Sequence, residues 1–219
     1  MSWRQPNPSS SKYVNGSHLH NEWSSAPSPR SSHTANVIKH FVYIFGGCGG
    51  YGYDMNSLND LVQLNTKDWV WKEIDTTGKQ PEKRFGHSAC VVSEHKLLIF
   101  GGCNAKKEFN DLFVLDTYKN SFSWTSVECY PSPFPVKRWR HAACVCDETV
   151  YIFGGIEGPL DPEDLIGNYR NNIISFSGQE SECYTAVYNQ YQEDREIPMA
   201  RADTAMAIYS KESKLVVFG

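Results

Sequence analysis

Apolar residues in this chain come in short bursts closed by glycine, not in helical stripes. Val42-Tyr-Ile-Phe-Gly-Gly, Leu98-Ile-Phe-Gly-Gly, Val150-Tyr-Ile-Phe-Gly-Gly and Val216-Val-Phe-Gly219 are four such bursts. Shorter runs rich in Val, Ile, Phe, Tyr and Thr lie between them, separated by Gly, Asn, Asp and Pro. No segment sustains a 3.6-residue period, so the pattern predicts strands joined by turns. In the first stretch it predicts four, near His33–Ile38, Phe41–Phe45, Asp60–Leu64 and Val70–Ile74. One antiparallel sheet of that size cannot bury both of its faces alone, so several must stack.

The bursts belong to a repeat. Arg30-Ser-Ser-His-Thr-Ala, Arg84-Phe-Gly-His-Ser-Ala, Arg138-Trp-Arg-His-Ala-Ala and Arg201-Ala-Asp-Thr-Ala each precede one. The first three arginines are 54 residues apart (84 − 30 and 138 − 84), and the last gap is 63 (201 − 138). Asn59-Asp-Leu-Val-Gln-Leu-Asn and Asn110-Asp-Leu-Phe-Val-Leu-Asp follow in the first two copies and lead into Trp71 and Trp124. The third copy is looser, with Asn172-Ile-Ile-Ser-Phe in that place and no Trp after it.

Taken together, Arg-x-x-His-x-Ala, an apolar run into Gly-Gly, Asn-Asp-Leu and then Trp resemble the kelch repeat of β-propellers, from Arg30 to Gly219. The spacing is nearer the roughly 50 residues of kelch than the roughly 40–45 of WD-type repeats. The resemblance implies an all-β propeller of four-stranded antiparallel blades around a channel. Copies are then expected at about 30–83, 84–137 and 138–200, with an incomplete one at 201–219. In that fold Gly-Gly ends the second strand, where a missing side chain permits close approach, and Trp71 and Trp124 cover gaps between blades.

Residues 1–29 hold eight Ser and four Pro without alternation. Residues 1–17 are expected to be a solvated tail. Residues 18–29, with Trp23, are a candidate outer strand closing the ring. The extra length of the third copy falls between Gly155 and Met199, including the polar stretch Gly178–Glu196, and is expected to form blade-end loops, where function concentrates, or a tolerated insertion.

Composition narrows the chemistry. Lys and Arg number 21 against 25 Asp and Glu, which gives no basic field for nucleic acid or an anionic membrane. The basic cluster Lys137-Arg-Trp-Arg140 is short and belongs half to the repeat frame. No run reaches the roughly 18–20 apolar residues of a membrane span. The seven cysteines recur at equivalent repeat positions such as Cys48 and Cys103, or Cys90 and Cys144. They read as small strand residues of a reduced, cytoplasmic protein, a reading that does not exclude the nucleus. Cys144 and Cys146 lie too close together for a zinc knuckle, so no metal is expected.

His33, His87 and His141 occur one per copy, which spreads them around the ring in structural, hydrogen-bonding roles. Gly46-Gly-Cys-Gly-Gly lacks the Lys and helix of a phosphate loop. No cofactor or catalytic set is expected. The candidate binding residues are Arg30, Arg84, Arg138 and Arg201 with Asp60 and Asp111, all at the strand ends that kelch propellers turn toward ligands. Such a ring would suit an acidic or carboxylate-bearing peptide, since guanidinium grips carboxylate bidentately. The other reading of the same residues is blade-to-blade salt bridges. Tyr51, Tyr53, Asn104 and Lys106, in the loops after Gly-Gly, complete the candidate surface.

The expected function is a non-enzymatic protein-interaction module, a scaffold or adaptor. The resemblance extends to leucine-zipper-like regulators that serve ubiquitin ligases, through regions this chain does not contain. Alternatives are a metal-dependent propeller enzyme of oxidase or specifier type, and an actin-associated kelch protein. At 219 residues the sequence holds about three and a half blades. It is therefore expected to be the N-terminal part of a larger protein or an incomplete gene model, marginal or self-associating alone.

Overall fold

A computed structural model describes residues 26–50, 56–130, 135–158, 168–177, 183–189, 198–209 and 214–219. The tail 1–17, Trp23, Tyr51 and Tyr53 lie outside them. The described residues contain strands, a single 3₁₀ turn at Tyr118–Asn120 and no α-helix.

After a two-residue β1 (Arg30–Ser31), blade I comprises β2 (Thr34–Ile38), β3 (Phe41–Gly49), β4 (Asn56–Asn65) and β5 (Val70–Glu73). A short β6 (Thr77–Gly78) leads to blade II, formed by β7 (Ser88–Ser93), β8 (Lys96–Phe100), β9 (Leu112–Asp116) and β10 (Ser123–Tyr130). Blade III begins with β11 (Ala142–Cys146) and β12 (Thr149–Phe153). A small ribbon follows, of β13 (Ile156–Glu157) and β14 (Asn168–Tyr169), and then β15 (Ile173–Ser177) and β16 (Cys183–Asn189). The antiparallel hairpin β17 (Ala205–Tyr209) and β18 (Lys214–Phe218) opens blade IV. Strands within a blade pair antiparallel in chain order. The fold is a partial kelch-type propeller.

Alternation along each strand supplies two apolar faces, and neighbouring blades bury them against each other. Phe45, Tyr43 and Leu61 of blade I meet Leu97, Ile99 and Leu115 of blade II. Trp124 fills the seam between them, its ring 5.0 Å from that of Phe45, as the repeat implies. Trp71, its counterpart in blade I, is half-buried. The opposite face of blade II sends Cys90, Leu98 and Phe100 against Val150 and Ile152 of blade III. Each large apolar side chain buried this way contributes about 1.5–3 kcal/mol.

Two features depart from the repeat reading. In blade I the second strand does not stop at the glycines. It runs on to Gly49 through a register shift between Phe45 and Gly47, which keeps it paired with β4. In blades II and III the strand ends at Phe100 and Phe153, as expected. The polar stretch Gly178–Glu196 is also not only loop, because it contains β16. That strand pairs antiparallel with β15 and, unexpectedly, parallel with β10 of the blade before it. The outer edges of blades II and III are thus hydrogen-bonded into one sheet.

Candidate functional site

Each copy enters its first strand through the Arg-x-x-His turn, Arg-x-x-Thr in the fourth. The third residue of that turn is left-handed in every copy: Ser32 (φ 53°), Gly86 (φ 63°), Arg140 (φ 56°) and Asp203 (φ 55°). This conformation aims backbone groups sideways, and they join in series along the inner rim. Gly86 N–H donates to the Ser32 carbonyl at 2.9 Å, Arg140 N–H to Gly86 at 2.7 Å, and Asp203 N–H to Arg140 at 3.0 Å.

The repeat arginines lie beneath this rim and make their hydrogen bonds within their own blades. Arg84 donates to both carboxylate oxygens of Asp111 at 2.6 and 3.1 Å, to the Gly101 carbonyl at 3.0 Å and to that of Glu82 at 3.0 Å. Its guanidinium stacks 4.1 Å from the centre of the Phe109 ring. Arg30 repeats the clamp on Asp60 at 2.7 and 2.8 Å and on the Gly46 carbonyl at 3.1 Å. In blade III, Asn172 takes the carboxylate's place and accepts from Arg138 at 3.1 Å, with the Gly154 carbonyl at 2.9 Å. Arg201 donates to the Met199 and Gly219 carbonyls. These clamps tie the start of the first strand to the end of the second and the start of the third.

Of the two readings of the Arg and Asp positions, blade-to-blade bridging does not match the geometry. The ion pairs lie inside blades, because Arg and Asp of one copy converge on the same strand ends. Arg84 is 0% exposed while Asp111 is 35% exposed, so the carboxylate, not the guanidinium, faces outward. Blades are joined instead by the asparagines: Asn59 donates to the Pro81 carbonyl at 3.2 Å and Asn110 to Pro135 at 2.8 Å. Each of those prolines lies just ahead of the next repeat arginine.

The histidines also link neighbours. His87 Nε2 is 3.0 Å from the Thr34 hydroxyl of the preceding blade, and His141 Nε2 is 2.8 Å from that of Ser88. Burial, reinforced by the Arg84 charge, pushes the His87 pKa down to about 3. Burial and then Arg138 hold His141 well below the ordinary histidine range. A cavity of about 160 Å³ lies among these turns, lined by Ser32, His33, Gly86, Arg140, Asp203 and Thr204 together with His87 and His141. Arg140 and Asp203 form an ion pair beside it.

Of the predicted loop residues, Asn104 shapes its turn rather than pointing out. Its side-chain oxygen accepts from the backbone N–H groups of Lys106 and Lys107 at 2.9 and 3.0 Å, and its amide donates to the Lys83 carbonyl at 3.3 Å. Lys106 is exposed. The loop thereby leans on residues 82–83, where Lys107 pairs with Glu82 at 2.8 Å. Through Asn110 the same loop abuts the lead-in to Arg138, where Lys137 is exposed. Lys83, Lys106 and Lys107 therefore lie together on the loop side of blade II, and the same loop abuts the segment that carries Lys137 into blade III. Lys83 and Lys107 were not singled out in the sequence, although Lys83 and Lys137 each directly precede a repeat arginine. Among the described residues, no three His, Cys, Asp or Glu side chains gather as metal ligands.

Comparison with known proteins agrees with this architecture. Residues 2–155 match the family model described as the KLHDC2/KLHL20/DRC7 Kelch-repeats domain. The chain is 35% identical over 159 residues to tip elongation aberrant protein 1 of Schizosaccharomyces pombe, covering 71% of this chain and 13% of that protein. It is 31% identical over 206 residues to the leucine-zipper-like transcriptional regulator 1 homolog of Drosophila melanogaster, covering 86% and 19%. With Kelch domain-containing protein 1 of Mus musculus it shares 32% identity over 156 residues, covering 70% and 36%. The matches thus span only a minor part of these relatives' length.

Proposed function

Because the chain belongs to the kelch-repeat family, whose domains are protein-interaction scaffolds, we propose that it is a non-enzymatic module that docks an acidic peptide segment. The observation that carries this reading is the exposed set Lys83, Lys106, Lys107 and Lys137, carried by the loop after β8 and the segments it leans on. The arginines serve it from below. By clamping the strand ends they fix the loops from which the lysines project, and preorganised charge lowers the ordering cost of binding. Exposed ammonium groups contribute on-rate and selectivity more than affinity. The free thiols of Cys48, Cys90 and Cys103 support work in a reducing, cytoplasmic compartment. An adaptor that presents a bound protein to other machinery would use such a module as its receiving surface.

Fluorescence anisotropy with a labelled Glu/Asp-rich peptide tests the reading. Binding should weaken with added salt, and the combined Lys83→Glu, Lys106→Glu and Lys107→Glu change should lower affinity by about tenfold or more. Equal affinity for acidic and neutral peptides of the same length would overturn it.

A further inference from the structure

The guanidinium of Arg30 has five N–H donors, and each meets an acceptor. Nε donates to the Ser28 carbonyl at 3.1 Å, and Nη1 to the Gly46 carbonyl at 3.1 Å and Asp60 Oδ1 at 2.7 Å. Nη2 donates to Asp60 Oδ2 at 2.8 Å and to the Ser28 hydroxyl at 3.2 Å. The bond to the hydroxyl is the longest of the five. Ser28 is exposed, precedes Pro29 and ends a lead-in, residues 26–28, without regular structure. The proline ring keeps the residue before it extended. An open groove of about 420 Å³ adjoins Ser28 and is lined also by Arg30, Cys48, Asn56 and Leu58.

The repeat supplies an independent comparison. Position 28 lies two residues ahead of the blade I arginine, and its counterparts are Glu82, Val136 and Met199. In blades I, II and IV the arginine Nε donates to the carbonyl of this residue. In blade II the side chain there is an acid. Glu82 pairs with Lys107, and that lysine, with Arg84 beyond it, holds its carboxyl below the usual range. An anion at this position is therefore compatible with a closed arginine clamp. Residues 50–55, the blade I counterpart of the loop that supplies Lys107, contain no Lys or Arg. Arg30 is thus the cation that would answer a negative charge at position 28.

We propose that Ser28 is a phosphorylation site for a proline-directed protein kinase, and that its phosphate settles in the groove against Arg30 Nη2. In the transfer, Ser28 Oγ bonds to the γ-phosphorus of ATP as the bond from that phosphorus to the β,γ-bridging oxygen breaks. ADP leaves, and the hydroxyl proton passes to the base of the kinase. The phosphate then takes over the donor that the hydroxyl uses, as a doubly charged acceptor in place of a neutral one. Asp60 keeps its two donors, so the clamp stays closed. Modified Ser28 becomes in blade I what Glu82 is in blade II, an acid at the entrance to the first strand.

The whole chain, carrying Ser132→Ala to remove the one other Ser-Pro dipeptide, is incubated with a purified mitogen-activated protein kinase and Mg-ATP. Peptide mapping by mass spectrometry should find one phosphate, on Ser28, and Ser28→Ala should abolish it. Phosphorus NMR then reads where the phosphate sits. Phosphoserine takes up its second proton at about pH 6, and contact with Arg30 favours the dianion. The midpoint in the folded chain should therefore lie about 0.5 or more below that of the same chain in urea. Asp60→Asn, which removes the competing carboxylate, should lower it further. A folded chain left unmodified under conditions that phosphorylate a peptide of residues 22–34 would overturn the site. Equal midpoints in the folded and unfolded chain would overturn the contact with Arg30.

Discussion

His141 holds Nε2 2.8 Å from the hydroxyl of Ser88, 53 residues earlier and one blade away. The pair sits where two blades and a buried arginine converge, so its protonation state reports on the seam. Free histidine binds a proton near pH 6.5 once unfolded, whereas folded His87 resists until about pH 3 and folded His141 stays well below its ordinary range. The unfolded chain therefore binds more protons throughout that window. Stability from His87 is complete above about pH 6.5 and is lost as pH falls toward 3, by about 1.4 kcal/mol per unit, and His141 acts in the same direction. Urea midpoints between pH 7.5 and 4.5 should fall steeply in wild type. In a His87→Gln, His141→Gln variant they should start lower and fall less. Parallel profiles would show that these groups do not set the acid limit.

The two glycines of a doublet should fail in different ways. A Cβ on Gly46 (φ +60°) would lie 2.8 Å from the Arg84 carbonyl oxygen of the next blade. One on Gly47 (φ +100°) would lie 2.8 Å from His33 Cβ and from the Ser31 carbonyl oxygen of its own blade. Gly46→Ala and Gly47→Ala should each cost on the order of 2–4 kcal/mol, combining a backbone clash with a strained left-handed residue. Gly49→Ala, whose nearest contact would be 3.4 Å, is the internal control and should change stability by about 1 kcal/mol or less. Thermal melts of the three variants decide the matter.

Blade III shows what an Arg clamp tolerates, since Asn172 serves Arg138 where a carboxylate serves Arg84. Asp111→Asn should accordingly be mild, about 1 kcal/mol, because a carbonyl oxygen remains in place. Asp111→Leu strands a fully buried guanidinium and should cost about 3 kcal/mol. Lys107→Ala, which breaks a pair exposed on both sides, should cost no more than about 0.5 kcal/mol. Equal losses for Asn and Leu at Asp111 would mean that the carboxylate charge, not merely an acceptor oxygen, governs this position.

Thiol chemistry gives a map of the interior. Burial, with Cys144 nearby, pushes Cys90 up to about 12; burial, with Glu108 nearby, does the same to Cys103. At pH 8 iodoacetamide should leave both unmodified in the folded protein for hours and label them within minutes in urea, because only the thiolate reacts. Site-resolved mass spectrometry reads this directly. Fast native labelling of Cys90 would mean that the seam between blades II and III opens readily.

Much of this was legible in the sequence because the repeat is written locally. Arg, His, Gly-Gly and Asn-Asp recur at fixed spacing, and alternation in runs such as Val42–Phe45 assigns faces without any long-range information. Strand β16 was not legible. Cys183–Asn189 lacks the Trp that marks the outer strand elsewhere, and one of its two neighbours is β10, more than fifty residues earlier. The direction of the arginine pairing was equally hidden. Nothing in Arg84 and Asp111 tells whether a 27-residue separation closes within a blade or across a seam, and only the register of β7, β8 and β9 decides it. The lysine cluster is hidden in the sequence for a related reason. Lys83 and Lys107 come together through Asn104, a turn-shaping residue whose side chain faces inward.

The glycine doublet has an implication for ancestry and engineering. Its first member makes room for the next blade's arginine carbonyl, and the second, whose N–H also bonds that carbonyl (Gly47 to Arg84, Gly102 to Arg138, Gly155 to Arg201, each at 2.9 Å), makes room for its own histidine. A duplicated cassette therefore arrives with its docking instructions for whatever follows it already encoded. Grafts that start at the arginine and carry the doublet intact should be interchangeable between positions, whereas a splice made between the two glycines would pair one cassette's socket with another's plug.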